Sequence, residues 1–126
     1  VRAKVAMIAF CKRRKLPIVV AGAAGGQIDP TQVRLADLSQ TVQDPLLAKV
    51  RSALRRDHGF PSAGKKFGIS AVFSTEPLRY PTPGNTCDTA SGPAGLNCAG
   101  FGSSVCVTSV FGMAAAAQVI NLIAGQ

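Results

Sequence analysis

An α/β fold with a mixed sheet, flanking helices and a long C-terminal apolar helix is the architecture the sequence predicts. Three observations carry it. A helical run with a basic end is broken by Pro17 and followed at once by the apolar Ile18-Val19-Val20. A helix leading straight into a strand buried on both faces is the rhythm of a doubly wound sheet. A glycine-rich segment, Ala21 to Thr31, then follows that strand, at the end where open α/β sheets hold their ligands. The 126 residues, 47% of them apolar, suffice for one core and not for two domains.

Taken in order, Val1, Val5, Ile8 and Ala9 recur at helical spacing, so a helix is predicted from Val1 to about Lys15. Lys12, Arg13, Arg14 and Lys15 crowd its last turn. There they complement the negative end of the helix dipole, which is the local reading of that cluster. The chain opens inside this helix, with no Met and no capping residue before it. The expectation is therefore that residues 1–126 are the C-terminal portion of a single larger domain whose N-terminal half is absent. After the glycine segment, Gln32 to Leu38 alternates polar and apolar residues, the pattern of a half-exposed strand, antiparallel and near an edge.

Asp44-Pro45 starts a helix, an acid at the N-cap followed by proline at the first helical position. Leu47, Val50 and Leu54 form its apolar stripe, and Gly59 suits its C-cap. The residues from Phe60 to Lys66 read as a flexible basic connection, and Ile69 to Ser74 as a further strand. The stretch from Glu76 to about Gly100 is too rich in Pro and Gly for regular structure. Ser103 to Ala124 is long and apolar enough to tempt a membrane-spanning assignment. Thr108, Ser109, Gln118 and Asn121 interrupt it and no basic flank orients it, so a helix packed inside a domain or dimer is expected.

Charge is unevenly placed. Residues 1–66 hold 13 of the 14 Lys and Arg and four of the six acids, a net of +9 against −1 for the remainder. A basic half points to a polyanionic partner. Lys49, Arg51, Arg55, Arg56, Lys65 and Lys66 form a helix-plus-loop basic block of the density that phosphate neutralisation needs.

Gly59 to Lys66 approaches the phosphate-binding G-x-x-x-x-G-K-[ST] pattern, but Lys66 stands where the magnesium-binding hydroxyl belongs. It also follows a helix instead of a strand, so it is no nucleotide site. Gly22-Ala23-Ala24-Gly25-Gly26 is not G-x-G-x-x-G. Cys11, Cys87, Cys98 and Cys106 contain no C-x-x-C pair and His58 is the single histidine, so no zinc quartet is expected. Reduced thiols are the simpler reading. Cys98 precedes the last predicted helix, where a thiolate would be stabilised, or it is a small buried apolar residue.

Four blocks occur in the order and spacing of one family: Gly25 to Gln32, Gln43 to Lys49, Val72 to Glu76, and Asn97 to Gly102. Together they resemble the tRNA threonylcarbamoyladenosine dehydratase family, within the ThiF/MoeB/HesA group of ubiquitin-activating-like adenylating enzymes. The resemblance covers nearly the whole chain. It implies the C-terminal part of a Rossmann-like adenylating-enzyme domain, acting as a cytoplasmic homodimer. The implied activity is ATP-dependent dehydration of threonylcarbamoyladenosine in tRNA through adenylation of its carboxylate. ATP and Mg would be bound mainly by residues missing from this chain, and a monovalent cation, Na or K, would sit at the dimer interface.

By the same resemblance Arg2 and Lys4 lie on the nucleotide side, and Cys98 lies in the catalytic-side loop. Gly25, Gly26, Gln27 and Asp29 shape an active-site or dimer loop, and the basic block faces tRNA. A sulfur-mobilisation partner is implied as well, and stable membrane insertion is not. Two alternatives stand beside this reading: an adenylating enzyme for a ubiquitin-like or sulfur-carrier protein, and a non-catalytic fragment that binds nucleic acid or dimerises.

Overall fold

A computed structural model describes residues 1–80 and 102–125. Helix α1 spans Arg2–Arg13, strand β1 Val19–Ala21, β2 Val33–Asp37, α2 Pro45–His58, β3 Ser70–Ser74 and α3 Val105–Ile123. Two short 3-10 turns, Pro30–Gln32 and Leu38–Gln40, bracket β2. The strands form one mixed sheet in the order β1-β3-β2. β1 runs parallel to β3, with Val20 beside Ala71, and β2 runs antiparallel to it, with Leu35 beside Val72. The expected antiparallel edge strand is therefore present, and β3, the last strand among the described residues, is the central one.

The sheet separates two apolar layers. On one face Val5, Ile8 and Ala9 of α1 and Leu47, Val50 and Leu54 of α2 bury against Val20, Ala71 and Phe73. These are the helical stripes the sequence predicts. On the other face Val107 and Phe111 of α3 close over Val72, with Val19 and Val33 beside them. Only one face of α3 is packed. Met113, Ile120 and Ile123 on its other sides are exposed, at 74%, 63% and 82%. The helix is long and apolar enough to cross a membrane by length and composition. Within the described residues it lies along the sheet, and Gln118 donates to Ser70 Oγ at 3.2 Å.

α1 and α2 run side by side in the same direction. At their starts, Lys4 Nζ donates to Ala21 O at 2.9 Å and the Asp44 N-cap accepts from Ala23 N at 2.8 Å, both at the exit of β1. At their ends, Lys12 and Arg13 share a hollow with Asp57, His58 and Phe60. The fold thus has two chemically different ends: one at the carboxyl ends of β1 and β3, the other where both helices finish.

Both helices end on a residue of positive φ, with different residues and different hydrogen bonds. α2 stops on Gly59 in the left-handed region, φ 66°, which glycine adopts without steric cost. α1 stops on Lys15 at φ 55°. Leu16 N donates to Cys11 O at 2.9 Å and Lys15 N to Lys12 O at 3.3 Å, the paired bonds of a Schellman ending.

Candidate functional site at the carboxyl ends of the parallel strands

β1 and β3 deliver two loops to the same end of the sheet because they are parallel. The loop after β1, residues 22–31, is held by groups from three other elements. Gly22 N donates to Val72 O at 2.8 Å. Asp44, the N-cap of α2, takes Ala23 N and Leu47 N on its two carboxylate oxygens. Burial pushes the Asp44 carboxyl up from its ordinary range, against the pull of those amides. Gly22 is required here: a Cβ on it would lie 2.0 Å from Asp44 Oδ2.

Farther along, Glu76, only 2% exposed, accepts from Ile28 N at 2.9 Å and from Asp29 N at 2.8 Å. Its own N–H donates to Ser74 Oγ. Arg79 lies 3.6 Å from the same carboxylate. A buried carboxylate with two amide donors is a fixed structural anchor. Asp29 caps the first 3-10 turn through Thr31 N and Thr31 Oγ1, and these bonds and one from Gln32 lower its pKa.

Gln27 is buried to 1% exposure between these anchors and donates to Glu76 O at 3.2 Å. Its Oε1 is the one buried side-chain polar atom without a partner among the described residues. Lys4 reaches this strand exit through its bond to Ala21 O, and Arg2 begins the same helix; Gly25, Gly26, Gln27 and Asp29 lie farther along the loop. Cys98 and Cys87 lie outside the described residues. Cys11 is half-buried on α1, and Cys106 is exposed on α3.

The end does not resemble a phosphate cradle. The loop after β1 leads into a three-residue 3-10 turn and not into a helix, so it lacks the aligned amides of a helix N-terminus. No three His, Cys, Asp or Glu side chains stand together as metal ligands among the described residues. These residues therefore do not by themselves fit a magnesium nucleotide.

The basic block divides. Lys49, Arg56, Lys65 and Lys66 are exposed. Arg51 is half-buried with Nη1 donating to Thr41 Oγ1, and burial, then repulsion from Arg55, lowers its pKa. Arg55 lies over the Phe67 ring, 5.1 Å from its centroid, and donates to Pro61 O at 3.1 Å. The connection after α2 is pinned and not free: Lys12 Nζ donates to Phe67 O at 2.7 Å, and Asp37 accepts from Phe67 N, Gly68 N and Ile69 N. Sequence reasoning missed Glu76 as an anchor. Its signal is a lone acid directly after an apolar strand.

A Rossmann-like α/β sheet with an anchored loop at the carboxyl ends of two parallel strands, the end at which open sheets of this kind hold ligands, defines the class of fold. No protein-family model matches the chain. Curated relatives do. The tRNA threonylcarbamoyladenosine dehydratase of Haemophilus influenzae is 51% identical over 123 residues, 96% of this chain and 46% of that protein. The one from Escherichia coli is 48% identical over 127 aligned positions, which take in 96% of this chain and 47% of that protein.

Crystal structures of the E. coli dehydratase TcdA with ATP and with AMP both superpose with a TM-score of 0.77 at 41% identity. They cover 97% of this chain and 43% and 44% of theirs. Over the residues it spans, the chain is homologous to the tRNA threonylcarbamoyladenosine dehydratases. It spans just under half the length of the curated relatives it matches.

Proposed function

We propose that the chain supplies the loop-22–31 side and a tRNA-facing side of an ATP-dependent tRNA threonylcarbamoyladenosine dehydratase. The observation that carries this is 51% identity across 96% of the chain to a protein of that name. In this reading a carboxylate oxygen of the threonylcarbamoyl group attacks the α-phosphorus of ATP and pyrophosphate leaves, so that the oxygen to be lost departs later as part of AMP. Ring closure then expels it, and the net change is loss of one water. Catalysis of this kind rests on positioning and charge stabilisation.

ATP and Mg are held mainly by residues outside this chain, and Arg2 and Lys4 approach them from α1. The anchored loop is rigid by construction, held by Asp44 and Glu76. Gln27 Oε1 is an oxygen of the kind an alkali cation takes as ligand, which supports a Na or K ion beside it at a homodimer boundary. Cys98 serves the catalytic-side loop, a sulfur-mobilisation protein is a partner, and the site of action is the cytoplasm. Lys49, Arg56, Lys65 and Lys66 face tRNA phosphates, whereas Arg51 and Arg55 hold the helix and loop that present them.

The test is nucleoside mass analysis of tRNA after incubation with ATP. The complete enzyme converts threonylcarbamoyladenosine to its cyclic product, and residues 1–126 alone do not. Full ATP-dependent conversion by the isolated chain would overturn the assignment of the nucleotide site to residues outside it. No conversion by the complete enzyme would overturn the function.

A further inference from the structure

The ends of α1 and α2 come together at the face opposite loop 22–31, and with them two basic clusters that are about 40 residues apart in sequence. Lys12 bridges them. Its Nζ donates to Phe67 O, directly after Lys65-Lys66, and lies 2.9 Å from where a Cβ on Gly68 would sit. Arg55 ties the same loop from the α2 side.

Residues 12–15 at the end of α1, residues 55 and 56 at the end of α2 and residues 65 and 66 of the loop that Lys12 ties down carry eight cations against two acids, Asp37 and Asp57, a formal surplus of +6. The two helix dipoles that end at this face supply about −0.5 charge each. Dipole complementation therefore accounts for about one of six charges. The face is not flat. A hollow of about 360 Å³ lies between the helix ends, and a cleft of about 490 Å³ lies between Lys12, Lys15, Pro17 and Gly68.

Lys15 adds a second, independent observation. It occupies the left-handed position where α2 uses Gly59. A charged side chain stands where glycine would fit the backbone better.

We propose that this joined face is the RNA backbone grip, with Arg13, Arg14 and Lys15 of α1 as principal phosphate contacts alongside Arg56, Lys65 and Lys66. The inference rests on the reading of the complete protein as a tRNA-modifying enzyme and deepens it. Arg13 and Arg14 carry planar forks that suit phosphate oxygens, whereas the fork of Arg56 is paired with Asp57 at 2.8 and 2.9 Å and adds its charge at the rim. α1 is 12 residues long, so the grip lies about 18 Å from the loop-22–31 end. It therefore holds the substrate at a distance from the reacting nucleotide and acts on binding, not on the chemical step.

The experiment uses the complete protein and compares wild type with Arg13→Gln/Arg14→Gln/Lys15→Gly. Binding of unmodified tRNA is measured from 50 to 300 mM KCl, with steady-state dehydration beside it. The expected result is a loss of at least tenfold in affinity at 150 mM KCl and a log–log salt slope shallower by about 2. The KM for tRNA rises while kcat at saturating tRNA is unchanged. Lys15→Gly alone raises the melting temperature while weakening tRNA binding, which separates loss of charge from loss of fold. Equal binding and equal salt slope in wild type and triple variant would overturn the grip and leave the enzyme reading intact. Wild-type protein that binds tRNA no better than it binds dextran sulfate would overturn that reading itself. Loss of binding to phosphatidylglycerol vesicles, with tRNA binding retained, would assign the face to a membrane and overturn the proposal.

Discussion

Gly22 and Asp44 are in contact across the exit of β1: a methyl group added at residue 22 would lie 2.0 Å from Asp44 Oδ2. That oxygen already accepts from Ala23 N at 2.8 Å, and its partner oxygen caps α2 through Leu47 N at 3.0 Å. One carboxylate therefore joins the loop, the strand exit and the start of a helix, and the glycine leaves it room.

Gly22→Ala is expected to displace the carboxylate and break both bonds. Losing a helix cap costs about 1 kcal/mol and an unpaired buried amide about 1–3 more. A destabilisation of about 2–4 kcal/mol should appear in urea unfolding. Asp44→Ala should cost a similar amount, and the double variant scarcely more than either alone, because both act through one contact. An unchanged unfolding midpoint for Gly22→Ala would show that the loop can move aside.

Asp37 gives the pH dependence. Partial burial pushes its carboxyl up, but hydrogen bonds from Ser39, Phe67 and Gly68 outweigh it and hold the pKa at about 2. The folded value is below the unfolded one of 3.8. Its contribution to stability is therefore complete above pH 3.8 and is lost as pH falls towards 2. Discounted for exposure, that contribution is about 1 kcal/mol. Asp44, with its pKa raised by burial, works with the opposite sign: its contribution is largest at acid pH and fades as pH rises. In Asp37→Asn the loss of stability between about pH 6 and about pH 3 should be about 0.5 kcal/mol smaller than in wild type, the rest of the difference appearing below about pH 3. Parallel pH profiles would remove Asp37 from the acid transition.

The elements themselves are legible because each carries its own local signal. Asp44-Pro45 with Leu47, Val50 and Leu54 defines α2 from its residues alone, and the alternation of 32–38 marks an edge strand. What distant elements do to each other has no such signal. Lys12 to Lys15 read as a helix end complementing its own dipole, because no residue in either helix announces that α1 and α2 finish side by side. Glu76 reads as the start of a long loop, and it is the buried anchor of a segment 48 residues earlier. Arg51 and Arg55 read as surface cations, since their positions lie off the apolar stripe. Long side chains reach back, and only the fold shows that Thr41, Phe67 and Pro61 wait within their reach.

Arg55 is where charge and structure can be told apart. Its guanidinium covers the Phe67 ring, Phe67 meets Phe60 edge to face at 5.1 Å, and its Nε–H donates to Pro61 O. Cation–π contact contributes about 0.5–1 kcal/mol at a partly exposed site and the hydrogen bond about 1. Arg55→Ala should therefore lower stability by about 1.5–2 kcal/mol. Arg55→Lys keeps the charge but has no planar fork to stack and donate at once, so it should recover less than half of that. If Arg55 is a brace, both variants lose stability while Arg55→Lys and wild type share one salt slope for tRNA, and Arg55→Ala changes that slope by well under one phosphate. A full unit change in slope with unaltered thermal stability would make Arg55 a phosphate contact and not a brace.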